Sequence, residues 1–240
     1  MPTLKKIITF FQSALFPPLC LSCKKAFSGQ SENNDLCARC LGNIQIFTTL
    51  FCPVCHSRLP ENKKICHKDS RFLLGAATRY QAPIKDAIHY FKYRSWDRLA
   101  PMLGVYLVAY LRNLASADFP LDSYTLVPLP LHPSREKERG FNQSELLAEI
   151  ISKTFNLPLE KNILIRAKNT RAQAELTDWE ERQANLQNAF TVADPENLKG
   201  KNIILVDDVY TSGATMSAAA ETLHKAGAKK IIGLVLAKTR

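Results

Sequence analysis

Ile203-Ile204-Leu205-Val206-Asp207-Asp208-Val209-Tyr210-Thr211-Ser212-Gly213-Ala214-Thr215 decides the fold. Four apolar residues followed by two acidic ones read as a buried strand, Asn202 to Val206, that ends where the carboxylates begin. Thr215 to Ala226 then has helical spacing and is closed by Gly227, and Lys230 to Leu236 reads as a second strand. A β-loop-α-β unit implies parallel strands, and such sheets bind ligands beyond the carboxyl ends of their strands. Carboxylates at a strand end can accept hydrogen bonds from two adjacent ribose hydroxyls. The backbone N–H groups of a tight Thr/Ser/Gly loop at a helix N-terminus can cradle a monophosphate. Gly213 permits close backbone approach, and Thr211, Ser212 and Thr215 add hydroxyls. The loop lacks the Gly-Lys-Ser/Thr of a P-loop. The plainer alternative is a polar strand-to-helix turn with a capping threonine.

Outward from this unit, helical and strand-like stretches alternate from residue 72 onward. Ile84 to Tyr93 and Leu99 to Leu114 read as helices, Thr125 to Leu129 as a short buried strand ending in prolines, and Asn142 to Phe155 as an amphipathic helix. Asp178 to Asn188 is polar and helical in pattern.

All seven cysteines lie between Cys20 and Cys66. This composition break predicts a small domain over residues 1–70 and a larger one over 71–240. Cys20-Leu21-Ser22-Cys23 and Cys37-Ala38-Arg39-Cys40 are two C-x2-C turns, separated by a thirteen-residue gap that suits a hairpin carrying Gly29. Two such turns close a tetrahedral thiolate site for Zn2+. Disulfides are the competing explanation, disfavoured by the odd cysteine count and the paired spacing. A second unit begins at Cys52-Pro53-Val54-Cys55 and departs from the pattern at Cys66-His67-Lys68-Asp69. Its fourth ligand would be Asp69, or else His67 or His56. The alternative is a decayed ribbon held by apolar packing. Segments this small bury little core, so metal binding would supply the folding energy. A four-thiolate site also leaves no open coordination position for catalysis.

The net charge is +10, with +5 in residues 1–70 and +5 in the following 170. The excess is densest around the cysteines and suggests a polyanionic partner or a phosphorylated ligand, with solubility as the plain alternative. Nothing approaches eighteen consecutive apolar residues. Lys5-Lys6 and the run Ile7 to Phe16 imitate a signal peptide only loosely. Gln12 and Ser13 interrupt the run, and no small-residue cleavage site follows. The expectation is a short amphipathic helix stopped at Pro17-Pro18 and a cytoplasmic location.

The loop resembles the signature of type I phosphoribosyltransferases: an apolar strand, two acidic residues, spacers, then Thr-Ser-Gly-x-Thr. A narrower resemblance covers nearly the whole chain. After the cysteine segment come Val127-Pro128-Leu129-Pro130 and Arg139-Gly140-Phe141-Asn142-Gln143-Ser144-Glu145. Arg166, Thr170, Gln173, Leu176, Arg182, Asn185 and Asn188-Ala189-Phe190 follow, then the acidic loop. This order is similar to that of the ComF/GntX family of competence-associated, phosphoribosyltransferase-like bacterial proteins. The resemblance implies an α/β fold: a type I phosphoribosyltransferase-like parallel sheet flanked by helices, with a small N-terminal zinc ribbon. It implies that Asp207 and Asp208 hold the ribose of phosphoribosyl pyrophosphate, that Thr211, Ser212, Gly213, Ala214 and Thr215 hold its 5-phosphate, and that Arg135 or Arg139 serves the pyrophosphate side. Mg2+ would accompany that ligand. Arg166, Thr170 and Gln173 would belong to the segment that covers the site in related folds, or simply to a solvated loop.

Two functions follow as expectations. The resemblance implies a role in natural transformation, handling incoming single-stranded DNA beside the competence machinery and at most peripherally to the inner membrane. Lys24, Lys25, Arg39, Arg58, Lys63, Lys64 and Lys68 surround the cysteines. Phe27, Phe47 and Phe51 could stack bases or form the ribbon's own core. Alternatively the chain is an active phosphoribosyltransferase, joining a nitrogen nucleophile to C1 of the donor and releasing pyrophosphate. The residues supply the donor half of that site and no recognisable acceptor pocket.

Overall fold

The structure is a computed structural model that describes residues 17–27, 35–59, 66–67, 70–93, 96–166 and 189–239. The helices expected over 7–16 and 178–188, with Gly29, Lys63, Lys64, Lys68, Asp69, Thr170, Gln173, Leu176, Arg182, Asn185 and Asn188, lie outside them.

In chain order the elements are α1 (Ala38–Gly42), β1 (Leu50–Phe51), β2 (Arg58–Leu59), β3 (Leu73–Arg79), α2 (Ile84–Tyr93), α3 (Ala100–Ser116), β4 (Tyr124–Pro128), α4 (Pro133–Arg139) and α5 (Gln143–Phe155). These are followed by β5 (Leu164–Arg166), β6 (Phe190–Val192), α6 (Pro195–Leu198), β7 (Asn202–Tyr210), α7 (Ala214–Lys225) and β8 (Lys230–Lys238). A six-stranded sheet runs β2-β1-β3-β8-β7-β4, and β5 and β6 form a separate pair. The β3–β8, β8–β7 and β7–β4 pairings are parallel, as the β-loop-α-β reading requires. At one edge β1 and β2 run antiparallel, with Phe51 opposite Leu74. The second cysteine unit is therefore an extension of the sheet.

The central strands are buried on both faces, which is why they read as unbroken apolar runs. One face packs Ala77, Leu126, Ile204 and Leu234 against α2, α3 and α5. The other packs Leu74, Val127 and Leu205 against Met216, Ala220 and Leu223 of α7. The first cysteine unit docks on α2. Ser22 Oγ donates to Asp86 at 2.6 Å, and Lys24 Nζ reaches the Tyr90 hydroxyl at 3.0 Å.

Two differences from the sequence reading position the site. β7 does not stop at Val206: Asp207, Val209 and Tyr210 stay paired opposite Val235, Ala237 and Lys238 of β8. β3 was not anticipated, because Gly75-Ala76-Ala77 has poor strand propensity. Its small residues make room for the buried Tyr110 of α3, whose ring lies 3.2 Å from where a Cβ on Gly75 would be. The Tyr110 hydroxyl then donates to the carbonyl of Thr49 at 2.8 Å, tying α3 to the chain entering β1.

The helices α3 and α5 meet at Gly104, where an added Cβ would stand 2.8 and 2.9 Å from the Ile150 Cδ1 and Cγ2. Gly104→Val forces these helices apart. It should lower unfolding free energy in urea by about 1–3 kcal/mol, more than the gain in helix propensity of under about 1 kcal/mol.

Candidate functional site

The acidic pair sits where the sheet opens into a cleft of about 310 Å³, lined among others by Tyr80, Lys92, Tyr93, Arg135, Arg139 and Arg166 together with Asp207, Asp208, Thr211 and Thr215. Lys92, from the last turn of α2, places Nζ 2.8 Å from Asp208 Oδ1. Burial works against the Lys92 ammonium, but Asp208 and Asp207 outweigh it and hold its pKa above the usual value. Asp207 Oδ1 accepts from the backbone N–H of Asp208 at 2.8 Å and from Ser144 Oγ at 3.0 Å. Even so, burial, reinforced by the neighbouring Asp208 charge, pushes Asp207 up to about 7. One half-buried lysine faces two carboxylates, so the second negative charge is the costly one.

The run Arg139 to Ser144 builds the opposite wall. His132 caps α4 by accepting from the Ser134 N–H at 3.2 Å, and Gly140, at φ +83°, ends that helix. Phe141 packs against Phe91 of α2 with ring centroids 5.4 Å apart. Asn142 caps α5 through the Ser144 N–H at 3.0 Å, while its amide donates to the Leu129 carbonyl at 3.2 Å. This single buried side chain fixes the turn after β4 relative to the acidic pair. Gln143 Oε1 accepts from Arg139 at 3.1 Å and directs that guanidinium along the cleft. Arg135 and Arg139 thus line the same cleft as the acidic pair. Arg166, at the end of β5, joins them. Burial, then the charge of Arg135, lowers its pKa.

The loop after β7 encloses a small hollow of about 30 Å³ lined by Thr211, Ser212, Gly213, Ala214 and Thr215. Gly213 has φ +80° and directly precedes α7, with the helix N-terminus behind it. A Cβ there would lie within 2.5 Å of the Tyr210 phenol. Tyr210 in turn donates its hydroxyl to the carbonyl of Pro53, inside the Cys52–Cys55 turn, at 3.1 Å. Thr239 closes the other side, donating its N–H to the Tyr210 carbonyl at 3.1 Å.

Cys20, Cys23, Cys37 and Cys40 place one sulfur each within 4.8 Å of one another, and so do the ligand atoms of Cys52, Cys55, Cys66 and His67. None of the cysteines is in a disulfide. The Cys23–Cys37 sulfurs are 3.7 Å apart, close to the ~3.8 Å that a tetrahedral zinc with ~2.3 Å Zn–S bonds requires. Burial and the neighbouring thiols push Cys40 up to about 12, so four sulfurs this close ionise together only around a cation. The residues therefore fit Zn2+ at both sites. At the second, His67 Nδ1 lies 3.2 Å from Cys66 Sγ and 3.4 Å from Cys52 Sγ. Here His67, one of the alternatives left open by the sequence, completes the ligand group, whereas Asp69 lies outside the described residues.

Comparison with known proteins agrees with this layout. Residues 142–240 match the phosphoribosyl transferase domain and residues 11–68 the double zinc ribbon domain. The chain is 30% identical to competence protein F of Haemophilus influenzae, over 82% of this chain and 88% of that protein. The chain belongs to the ComF family. Within that family it is also 28% identical to competence protein ComFC of Bacillus subtilis, over 87% of this chain and 90% of the relative. The figure is again 28% for the DNA utilization protein YhgH of Escherichia coli K12, over 93% and 98%. A competence-related function follows from these relatives, and in this ComF-family chain the double ribbon corresponds to the two ligand clusters.

Sequence reasoning did not single out Lys92 or the pairing of Ser144 with Asp207. Lys92 is a basic residue in the last turn of α2. Its role depends on α2 crossing the end of β7, which local patterns do not reveal.

The raised pKa of Asp207 carries a stability cost. The folded state, near 7, holds the proton more tightly than an unfolded carboxyl at 3.8. The stabilisation is therefore complete below about pH 4 and is lost as pH rises through 7. Asp207→Asn, which can still accept from Ser144 and the Asp208 N–H, should be more stable than the parent by about 1–3 kcal/mol at pH 8. The difference should be small at pH 4. Chemical denaturation at the two pH values measures it.

Proposed function

We propose that this ComF-family protein binds phosphoribosyl pyrophosphate with Mg2+ and couples that ligand to the handling of single-stranded DNA in natural transformation, in the cytoplasm. The observation that carries the ligand half is a cleft lined by the acidic pair and three arginines, adjoining a small hollow with which it shares Asp207, Val209, Thr211 and Thr215. The 5-phosphate would sit among the N–H groups and hydroxyls of Thr211 to Thr215, against the N-terminus of α7. The ribose hydroxyls would donate to Asp207 and Asp208. The pyrophosphate would face Arg135, Arg139 and Arg166, whose planar donors suit phosphate oxygens. Asp207 and Asp208 are hard oxygen donors of the kind Mg2+ accepts, and the ion would supply charge neutralisation at the pyrophosphate. Lys92 must then yield part of its hold on Asp208, which ties ligand entry to the end of α2.

The DNA half is supported by the relatives' printed roles in competence and DNA utilization and by the +5 charge of the first 70 residues. No helix among the described residues is long and apolar enough to cross a membrane.

A catalytic reading is favoured by one feature. Tyr80, His89 and Tyr93 line the cleft beside the acidic pair, with the His89 and Tyr93 rings 5.1 Å apart. Such a wall could hold a flat nitrogen nucleophile beyond C1 of the donor. The bond from C1 to the pyrophosphate oxygen would break as the C1–N bond forms, and the arginines would stabilise the charge gathering on the leaving group.

Calorimetric titration with phosphoribosyl pyrophosphate and Mg2+ should show binding to the parent and a loss of about 1.5–3 kcal/mol in Asp208→Asn. Equal affinities would overturn the ligand assignment. Release of pyrophosphate on addition of a nitrogenous acceptor would establish turnover.

A further inference from the structure

A second cleft, of about 250 Å³, opens on the ribbon side of the sheet and is lined in part by Phe47, Arg58, Thr78, Arg79 and Gln81. Two separate strands deliver guanidiniums to it, with Lys238 of a third strand beside them. Arg58 lies on β2, Arg79 ends β3, and Lys238 ends β8, where it pairs in register with Arg79. The Arg58 guanidinium covers the Phe47 ring at 5.5 Å. Lys238 Nζ stands 5.9 Å from the same ring and 4.3 Å from that of Phe51. The arginines are exposed, while Lys238 is only 5% exposed. Among the described residues, neither Arg58 nor Arg79 belongs to an ion pair. Two exposed guanidiniums lining a cleft beside the Phe47 ring suit an anion that both arginine forks can grip.

We propose that this cleft is a phosphodiester site through which the protein grips the backbone of single-stranded nucleic acid. The inference rests on the nucleic-acid half of the function proposed above and locates it. The ligand chemistry is a phosphate carried on a chain. Two guanidiniums suit its non-bridging oxygens, and the exposed side chains of Asn43, Gln45 and Gln81 offer hydrogen bonds to sugar or base edges. Burial and then the charges of Arg79 and Arg58 lower the pKa of Lys238, as expected of cations held close together. The site also adjoins the ligand cleft. Arg79 lines one cleft and the next residue, Tyr80, lines the other, with the Tyr80 N–H bonded to the Lys238 carbonyl at 2.8 Å. Occupancy of one cleft is therefore one residue from the wall of the other.

The test is fluorescence anisotropy with a labelled oligothymidine at two salt concentrations, using the full chain. Arg58→Glu/Arg79→Glu should lower affinity at least tenfold and flatten the salt dependence by about two phosphate contacts. Reversal at an exposed lysine of α5, Lys153→Glu, should change it less than twofold. Phosphoribosyl pyrophosphate titration of the double variant, unchanged from the parent, shows that the fold and the ligand cleft survive. Equal losses in the α5 control and the double variant would overturn the assignment of the cleft. No binding by the parent at low salt would instead overturn the nucleic-acid reading itself. Inorganic phosphate that displaces the oligonucleotide beyond the effect of chloride at matched ionic strength would reassign the cleft to a small free anion.

Discussion

The phenol of Tyr210 is the interaction on which the ligand loop depends. Its ring occupies the space over Gly213 that any side chain would need, and its hydroxyl donates to the Pro53 carbonyl inside the second cysteine turn. Burial keeps it a phenol, with its pKa pushed up to about 12, so the donor is present at any ordinary pH. Through this one residue the loop leaving β7 is held from the ribbon side, while Thr239 holds it from the chain's far end. The ribbon is thus part of the site's scaffold. The antiparallel pairing of Phe51 with Leu74 extends the sheet under it.

The site is built at the expense of stability. Two adjacent carboxylates share the half-buried Lys92, and three arginines line the same cleft. Binding sites commonly store such unfavourable charge, which a complementary ligand then relieves. The polar groups that are satisfied do the positioning: Asn142 fixes the turn after β4, Ser144 holds Asp207, and Gln143 aims Arg139.

What was legible in the sequence follows this division. The helix over 84–93 and the β-loop-α-β unit were readable, because burial on one or both faces writes a periodic pattern. The loop was readable because a Thr/Ser/Gly turn after two acids has few other uses. The extension of β7 through Tyr210 was not, since acidic residues usually end a strand and only pairing with β8 keeps these in it. β3 was hidden by Gly75-Ala76-Ala77, chosen for the fit of Tyr110 rather than for strand propensity. The short helix α4 is wholly polar, and its signals were its caps, Pro133 at the start and Gly140 at the end. The crossing of Lys92 and the gathering of Arg58, Arg79 and Lys238 depend on distant elements meeting, which local patterns do not carry.

The central claim is that the second cysteine cluster holds the ligand loop in shape through Pro53 and Tyr210. Native-state hydrogen exchange over Asp208 to Ser217 tests it most directly, comparing Cys66→Ser with Cys23→Ser, each removing one exposed ligand. The account predicts at least tenfold faster exchange of these amides in Cys66→Ser and no change in Cys23→Ser. Equal exchange in the two variants would contradict it.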